Sequence, residues 1–506
     1  MRTSIRLTLT LATALLAGSA LLACGSDDEF TDADAEQAML ATFEEINKVP
    51  RCSKDETRIS AWLVDWARAR GFTVTTDAQD NVLITVPATA GWETRPGVVL
   101  QAHMDMVCLK TETSTHDFTK DPIPVIRDGD WVHAKDTTLG ADDGIGIAIA
   151  LTIAEKATKP HPKLEILITT DEEKDMTGAA GVSATALRGK RYINLDSEDD
   201  TVVTLGAAGG VHTDVESPMA LPALSPDQQV FMLKVSGLLG GHSGMDIDKN
   251  RANANVLVAQ LLAESVLFRL VGMSGGSADN AITTSAEATL AVAADDVEGL
   301  QKRVTDFTAS ARVQYPEETG MAITLAPAAN VLQLAASLAD SATAMTLITA
   351  IPQGVTEWST EFADLPETSN NIGIVNTTGS AIQIATFQRS FHEDNLHAIA
   401  GQIAATSQDA GASSSQRGEF PAWPPNSNSG LYRAVIDAYS KLFGSEMTTS
   451  VIHAGLECGY IAEKYPPMEI VSIGPTLENV HTTNERLKVA SLRKMWNLVQ
   501  EVLQAP

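Results

Sequence analysis

The chain has 506 residues, too many for one ordinary hydrophobic core, so two domains are expected. Hydrophobic residues at 44% and charged residues at 20% describe a globular protein and exclude a disordered one. A net charge of -28 repels phosphates, so no nucleic-acid partner is expected.

At the N-terminus, Arg2 and Arg6 precede an apolar stretch from Leu7 to Leu22, which has the charge, length and composition of a signal peptide. It ends in Leu21-Leu22-Ala23-Cys24, similar to the lipobox of bacterial lipoproteins. That resemblance implies removal of residues 1–23, lipidation of Cys24, and a short tether over 24–33. The expectation is an extracytoplasmic lipoprotein of the cell envelope, held to a membrane by its lipid. With Cys24 lipidated, Cys52, Cys108 and Cys458 remain. That odd count argues against a disulfide framework but leaves room for one bridge.

After the tether, Asp34 to Val49 and Arg58 to Arg70 read as helices, the second stopped by Gly71. Short apolar runs follow at 82–86, 97–102, 164–169 and 192–195, with a helix over 144–156 between them. Strands alternating with helices predict an α/β fold with a mostly parallel sheet covered on both faces. The texture changes near residue 212. Alternating strands at 228–235, 286–293, 322–325, 369–375 and 382–388, with helices over 252–270 and 297–311, form a compact α+β pattern. It is read as an inserted, ferredoxin-like lid domain over 212–397, within a catalytic domain made of 34–211 and 398–506. The Ser-, Pro- and Gly-rich stretch 411–430 reads as a loop.

Five acidic or histidine clusters sit at strand ends or at a helix start, where α/β sheets build their sites. They are Ala102-His103-Met104-Asp105, Gly140-Ala141-Asp142-Asp143-Gly144, Asp171-Glu172-Glu173, Leu195-Asp196-Ser197-Glu198 and Val480-His481. Asp105 is spaced to accept from the second nitrogen of His103, which would fix the tautomer of a ligating imidazole. Singly, each cluster reads as well as solvated surface, an N-cap or a turn.

Their order and spacing together resemble the co-catalytic zinc peptidases of the M20 family, and most of all its aminoacyl-histidine (Xaa-His) dipeptidase group. Supporting runs are Gly240-Gly241-His242-Ser243-Gly244 and His453-Ala454-Gly455-Leu456-Glu457-Cys458-Gly459. The resemblance implies two zinc ions, with manganese or cobalt suiting the same donors. His103 and Asp196 would hold one ion, Glu173 and His481 the other, and Asp142 both. Glu172 would be the general base and Asp105 its catalytic partner through His103. His242, which in the family often acts across a homodimer, would stabilise the oxyanion. Arg389 would bind the substrate carboxylate, Asn280 would contact substrate from the lid, and Glu457 would receive the α-ammonium. Within the family, Asp rather than Glu at position 196 goes with dipeptidases and aminopeptidases. Departures lie mostly in the lid, at Ser277-Ala278-Asp279, Thr283-Thr284 and Ser390-Phe391-His392-Glu393, and Gly144 stands where many members carry Lys. The expected activity is hydrolysis of short peptides, Xaa-His dipeptides foremost. The alternatives are an N-acyl amino-acid or peptide hydrolase on the same site, and a peptide-binding surface lipoprotein without catalysis.

Overall fold

A computed structural model describes residues 30–263, 267–329 and 333–506. The signal-peptide stretch, Cys24 and the tether as far as residue 29 lie outside the described residues, and the last two tether positions, Asp32 and Ala33, already belong to the first helix.

The first sheet has eight strands. Their order is Thr73–Thr76, Val82–Val86, Leu164–Thr169, Val98–His103, Arg191–Asn194, Glu469–Ser472, Val202–Ala207 and Thr448–Ile452. Val98–His103 runs parallel to both its neighbours, and Glu469–Ser472 runs parallel to Arg191–Asn194. Four adjacent strands therefore point the same way and end on one edge. Every residue of Val98–His103 and Leu164–Thr169 is buried. The pleat sends Leu100, Ile166 and Ile193 into the main core with helices Asp32–Ile46, Ala141–Lys156 and Val489–Val502. It sends Val99, Leu167 and Tyr192 to a second cluster with Trp423, Cys458 and Ile461. Burial on both faces explains why these strands read as unbroken apolar runs.

The second sheet has nine strands. Gln228–Ser236, Ala254–Ala263, Arg269–Gly275, Ala286–Ala293, Val297–Gln314 and Ala322–Pro327 make a strand-helix-strand-strand-helix-strand unit. Its strands lie in the spatial order fourth, first, third, second. Arg269–Gly275 then pairs with Pro366–Thr378, and the sheet continues through Ala381–Ser390, Gly209–Pro218 and Ser413–Phe420.

Two readings are corrected. The helix expected over 252–270 is the shorter Ala254–Ala263, and the apolar residues after it begin a strand at Arg269. Short apolar runs do not distinguish a buried helix from a strand. Within the 411–430 loop, Ser413–Phe420 is a strand paired with Gly209–Pro218. Nearly all its side chains are exposed, so backbone pairing forms it without an apolar alternation to announce it.

Cys52 and Cys108 form a disulfide, with Cα atoms 5.6 Å apart and a sequence separation of 56, while Cys458 is free and buried. The bridge ties the segment after the first helix to the segment that follows His103. Closing a loop of this length contributes about 4 kcal/mol on the chain-entropy account. The Cys52→Ser/Cys108→Ser protein should therefore lose stability of that order against the oxidised protein in urea unfolding.

Candidate active site

His103 is the last residue of its strand, and its Nε2 lies 2.9 Å from Asp142 Oδ1 and 3.4 Å from Asp196 Oδ1. His481 approaches from the other side, its Nε2 3.0 Å from Asp142 Oδ2 and 2.9 Å from Glu173 Oε2. Each imidazole thus faces one oxygen of Asp142 and one further carboxylate. The donor atoms of His103, Asp142 and Asp196 lie within 4.8 Å of one another, and so do those of Asp142, Glu173 and His481. All five residues singled out in the sequence meet at the edge where the parallel strands end.

The surrounding side chains hold this arrangement. Asp105 accepts from the backbone N–H of Glu172 at 3.0 Å and of Glu173 at 3.2 Å, and its Oδ1 is 3.3 Å from His103 Nδ1. One carboxylate thereby orients an imidazole and the two acids opposite it. Asp171 is drawn away from its two acidic neighbours by an ion pair with Lys54. Asp143 accepts from the N–H of His103 at 3.2 Å and of Gly146 at 3.0 Å, so it braces the strand end and caps the helix.

Two bracing residues were missed in the sequence. Glu485 accepts from the N–H of Leu139 at 2.7 Å, Gly140 at 3.0 Å and Ala141 at 2.7 Å, and so cradles the turn that presents Asp142. Arg51, 2% exposed, donates to the carbonyls of Met104 at 3.1 Å and Asp105 at 2.9 Å, and to that of Gly140. A Cβ on Gly144 would fall 2.5 Å from its Nη2, so the glycine leaves room for this arginine. Neither residue belongs to a motif. Their partners are backbone atoms, which leave no pattern in side-chain spacing.

The electrostatics ask for cations. Burial raises Glu172 and Asp196 well above the usual carboxylate range, and neighbouring carboxylates add to it. Hydrogen bonds to Asp142 and Glu173 raise His481 to about 11. Burial alone would lower His103, yet Asp196, Asp105 and Asp142 hold it well above its ordinary value. Arg51 is a nearby cation, and its Nη groups are engaged by the carbonyls of Met104, Asp105 and Gly140. Mixed nitrogen and oxygen donors, in two sets sharing one carboxylate, fit two divalent cations with open positions.

Glu457 belongs to the same group. Its Oε2 accepts from Thr169 at 2.6 Å and Gln101 at 2.7 Å, its Oε1 is buried without a partner, and burial raises it to about 7.

Arg389 lies instead on the second sheet, and His242 lies near it on a small separate pair of strands, Gly241–His242 with Ala281–Ile282, the second of which Asn280 directly precedes. His212, Phe387 and Asn371 align across three strands, and Gly210, Arg389 and Ser369 align beside them. Arg389 lies 4.0 Å over the Phe387 ring, and His212 stacks on the same ring at 3.8 Å. Arg389 is 4% exposed, its Nε has no hydrogen-bond partner, and burial pulls it down to about 10. His242 Nδ1 accepts from the N–H of Gly244 at 3.1 Å and Met245 at 3.0 Å, which leaves the ring proton on Nε2. Burial, then Arg389, lowers His242 to about 4, so it is a neutral donor. The Asn280 carbonyl accepts from Ser243 at 2.8 Å, which joins the Asn280 turn to the His242 turn.

Residues 99–505 match the peptidase family M20/M25/M40. The cytosol non-specific dipeptidase of Escherichia coli (strain K12) is 38% identical over 473 residues, spanning 92% of this chain and 97% of that protein. The aminoacylhistidine dipeptidase of Vibrio alginolyticus superposes with a TM-score of 0.87 at 36% identity, over 92% of this chain and 96% of that one. The aminopeptidase PepT of Bacillus cereus shares the fold, with a TM-score of 0.53 at 16% identity over 92% and 98% of the two chains. These relatives correct the expected location. The Escherichia coli protein, matched over 92% of this chain, carries a cytosolic name. The membrane-anchored lipoprotein of the cell envelope is therefore set aside; its physical basis, an apolar stretch ending in Cys24, lies outside the described residues. With residues 99–505 matched by the family and its acidic and histidine clusters gathered at one edge, the chain belongs to peptidase family M20/M25/M40.

Proposed function

We propose that this peptidase is a dinuclear zinc dipeptidase acting on short peptides with a free amino end, Xaa-His dipeptides among them. The observation that carries the reading is the pair of donor sets sharing Asp142, with Glu172 beside them. His103, Asp196 and Asp142 would hold one cation, and Glu173, His481 and Asp142 the other; manganese or cobalt would suit the same donors. Bound there, two cations would acidify a water and polarise the scissile carbonyl.

Glu172 accepts the proton of the attacking water and returns it to the leaving amine. It adjoins Glu173, its backbone N–H is held by Asp105, and its carboxylate lies within 4.8 Å of donor atoms of His103 and Glu173, beside the place where the water would be held. The orphaned Oε1 of Glu457 suits an α-ammonium, since a buried carboxylate oxygen without a partner is satisfied by a cationic donor. The unpaired guanidinium of Arg389 suits the opposite end, a carboxylate. The unit over 212–397 serves as the lid that carries Arg389, Asn280 and His242 to the substrate. His242 donates its Nε2–H to the developing oxyanion once closure, or a second copy, brings it to a metal site. The name of the Vibrio alginolyticus relative supports the Xaa-His preference, and that of the Escherichia coli relative supports a broader range.

Glu172→Gln should lower kcat by at least about a hundredfold. Its zinc content, read by atomic emission, should equal that of the wild type. Unblocked alanyl-histidine should be cleaved at least about a hundredfold more efficiently than its N-acetyl derivative, because acetylation leaves Glu457 without its cationic partner. Equal rates on the two would favour an N-acyl hydrolase instead.

A further inference from the structure

His453 has no part in the chemistry described so far. It is 3% exposed and follows strand Thr448–Ile452 of the first sheet. Its Nε2 lies 2.7 Å from Ser369 Oγ, on strand Pro366–Thr378 of the second sheet. Its Nδ1 is buried and has no hydrogen-bond partner. Such orphaned polar atoms are uncommon in native proteins and call for an explanation.

Ser369 is the register partner of Arg389, and paired residues on neighbouring strands project from the same face. The hydroxyl that holds His453 therefore stands beside the guanidinium. Gly244 marks how close the two residues come: a Cβ there would fall 2.0 Å from the His453 carbonyl oxygen and 3.1 Å from Arg389 Nε. Burial, then the charge of Arg389, lowers His453 to about 3, so the ring is neutral and carries one proton. Taking the Ser369 hydroxyl as the donor to Nε2 assigns that proton to Nδ1. Two unpartnered donors, Arg389 Nε–H and His453 Nδ1–H, then occupy one buried region. The acid that bears on Arg389 is Asp279, and it is engaged by Arg417 at 2.8 Å and lies 3.0 Å from His212. An anion from outside the chain is what this pair lacks.

We infer that His453 is a specificity-determining residue whose Nδ1–H joins Arg389 in binding the C-terminal carboxylate of the peptide. This rests on the dipeptidase reading above and adds a residue to it. The loop gives the assignment a further consequence. Glu457 lies four residues beyond His453, and four residues reach at most about 14 Å. One short loop thus carries contacts for both charged ends of the substrate.

Two substitutions separate the ring nitrogens. His453→Gln keeps an amide where Nε2 meets Ser369 and removes the donor at Nδ1; His453→Asn does the reverse. KM and kcat are measured on the zinc-loaded full chain with alanyl-histidine and with its C-terminal amide. For His453→Gln, KM for the free dipeptide should rise roughly ten- to hundredfold, while KM for the amide changes less than about threefold. His453→Asn should recover most of that loss. An unchanged KM, or an equal rise on both peptides, overturns the inference, the latter marking a merely structural histidine. Should His453→Gln not fold, the wild type labelled with 15N-histidine answers the question. Free histidine should shift the His453 Nδ1–H resonance and histidinamide should not; no shift with either overturns the inference. If Arg389→Met loses the preference for the free carboxylate and His453→Gln keeps it, the role of His453 alone fails. If the wild type shows no preference for the free carboxylate, the dipeptidase reading itself fails.

Discussion

Several carboxylates are buried together at the edge of the first sheet, and the rest of the site follows from how that repulsion is managed. Asp142, Glu172, Glu173 and Asp196 converge there with only two imidazoles to answer them. Buried like charges are tolerated when cations or hydrogen bonds offset them. Asp105, Asp143 and Asp171 are offset within the protein, by backbone N–H groups or by Lys54. The ligand carboxylates lack such partners, and their oxygens point at the imidazoles. The fold thus divides its acids into those it satisfies and those that, on the proposed reading, a cation would satisfy.

Precision comes from a rigid frame around this edge. Four adjacent parallel strands end together, so residues far apart in sequence arrive at one place without long loops. Glu485 and Arg51 then fix the turn between Leu139 and Ala141 from two sides, one through its N–H groups and one through a carbonyl. Preorganised donors of this kind cost no rearrangement when substrate arrives. The surroundings of Arg389 on the second sheet are a contrasting environment, where a buried guanidinium meets two neutral imidazoles, His242 and His453, brought in from outside that sheet. An acidic end and a basic end suit a short zwitterion.

Much of this was legible in the sequence, for identifiable reasons. Val98–His103 and Leu164–Thr169 are buried on both faces, so their apolar runs are unbroken and the polar residues that end them stand out. That is how the clusters holding His103 and Glu172-Glu173 could be picked out at strand ends, although singly they are ambiguous and their roles come from the resemblance of their joint order to the M20 family. Arg51 and Glu485 could not, because they act on carbonyl and N–H groups that every residue possesses. The strand Ser413–Phe420 was hidden for a related reason: it pairs through its backbone and buries almost nothing. His453 was visible only as part of a family run; its interest arises from the register of Ser369 with Arg389, which no linear spacing displays.

The central claim is that Asp142 serves two cations at once. It is tested most directly by zinc stoichiometry after exhaustive dialysis, compared between the wild type, His481→Ala and Asp142→Ala. The account predicts two zinc ions per chain in the wild type, one in His481→Ala, and loss of both in Asp142→Ala with the fold retained. Two ions kept by Asp142→Ala, or a wild type that holds only one, would contradict it.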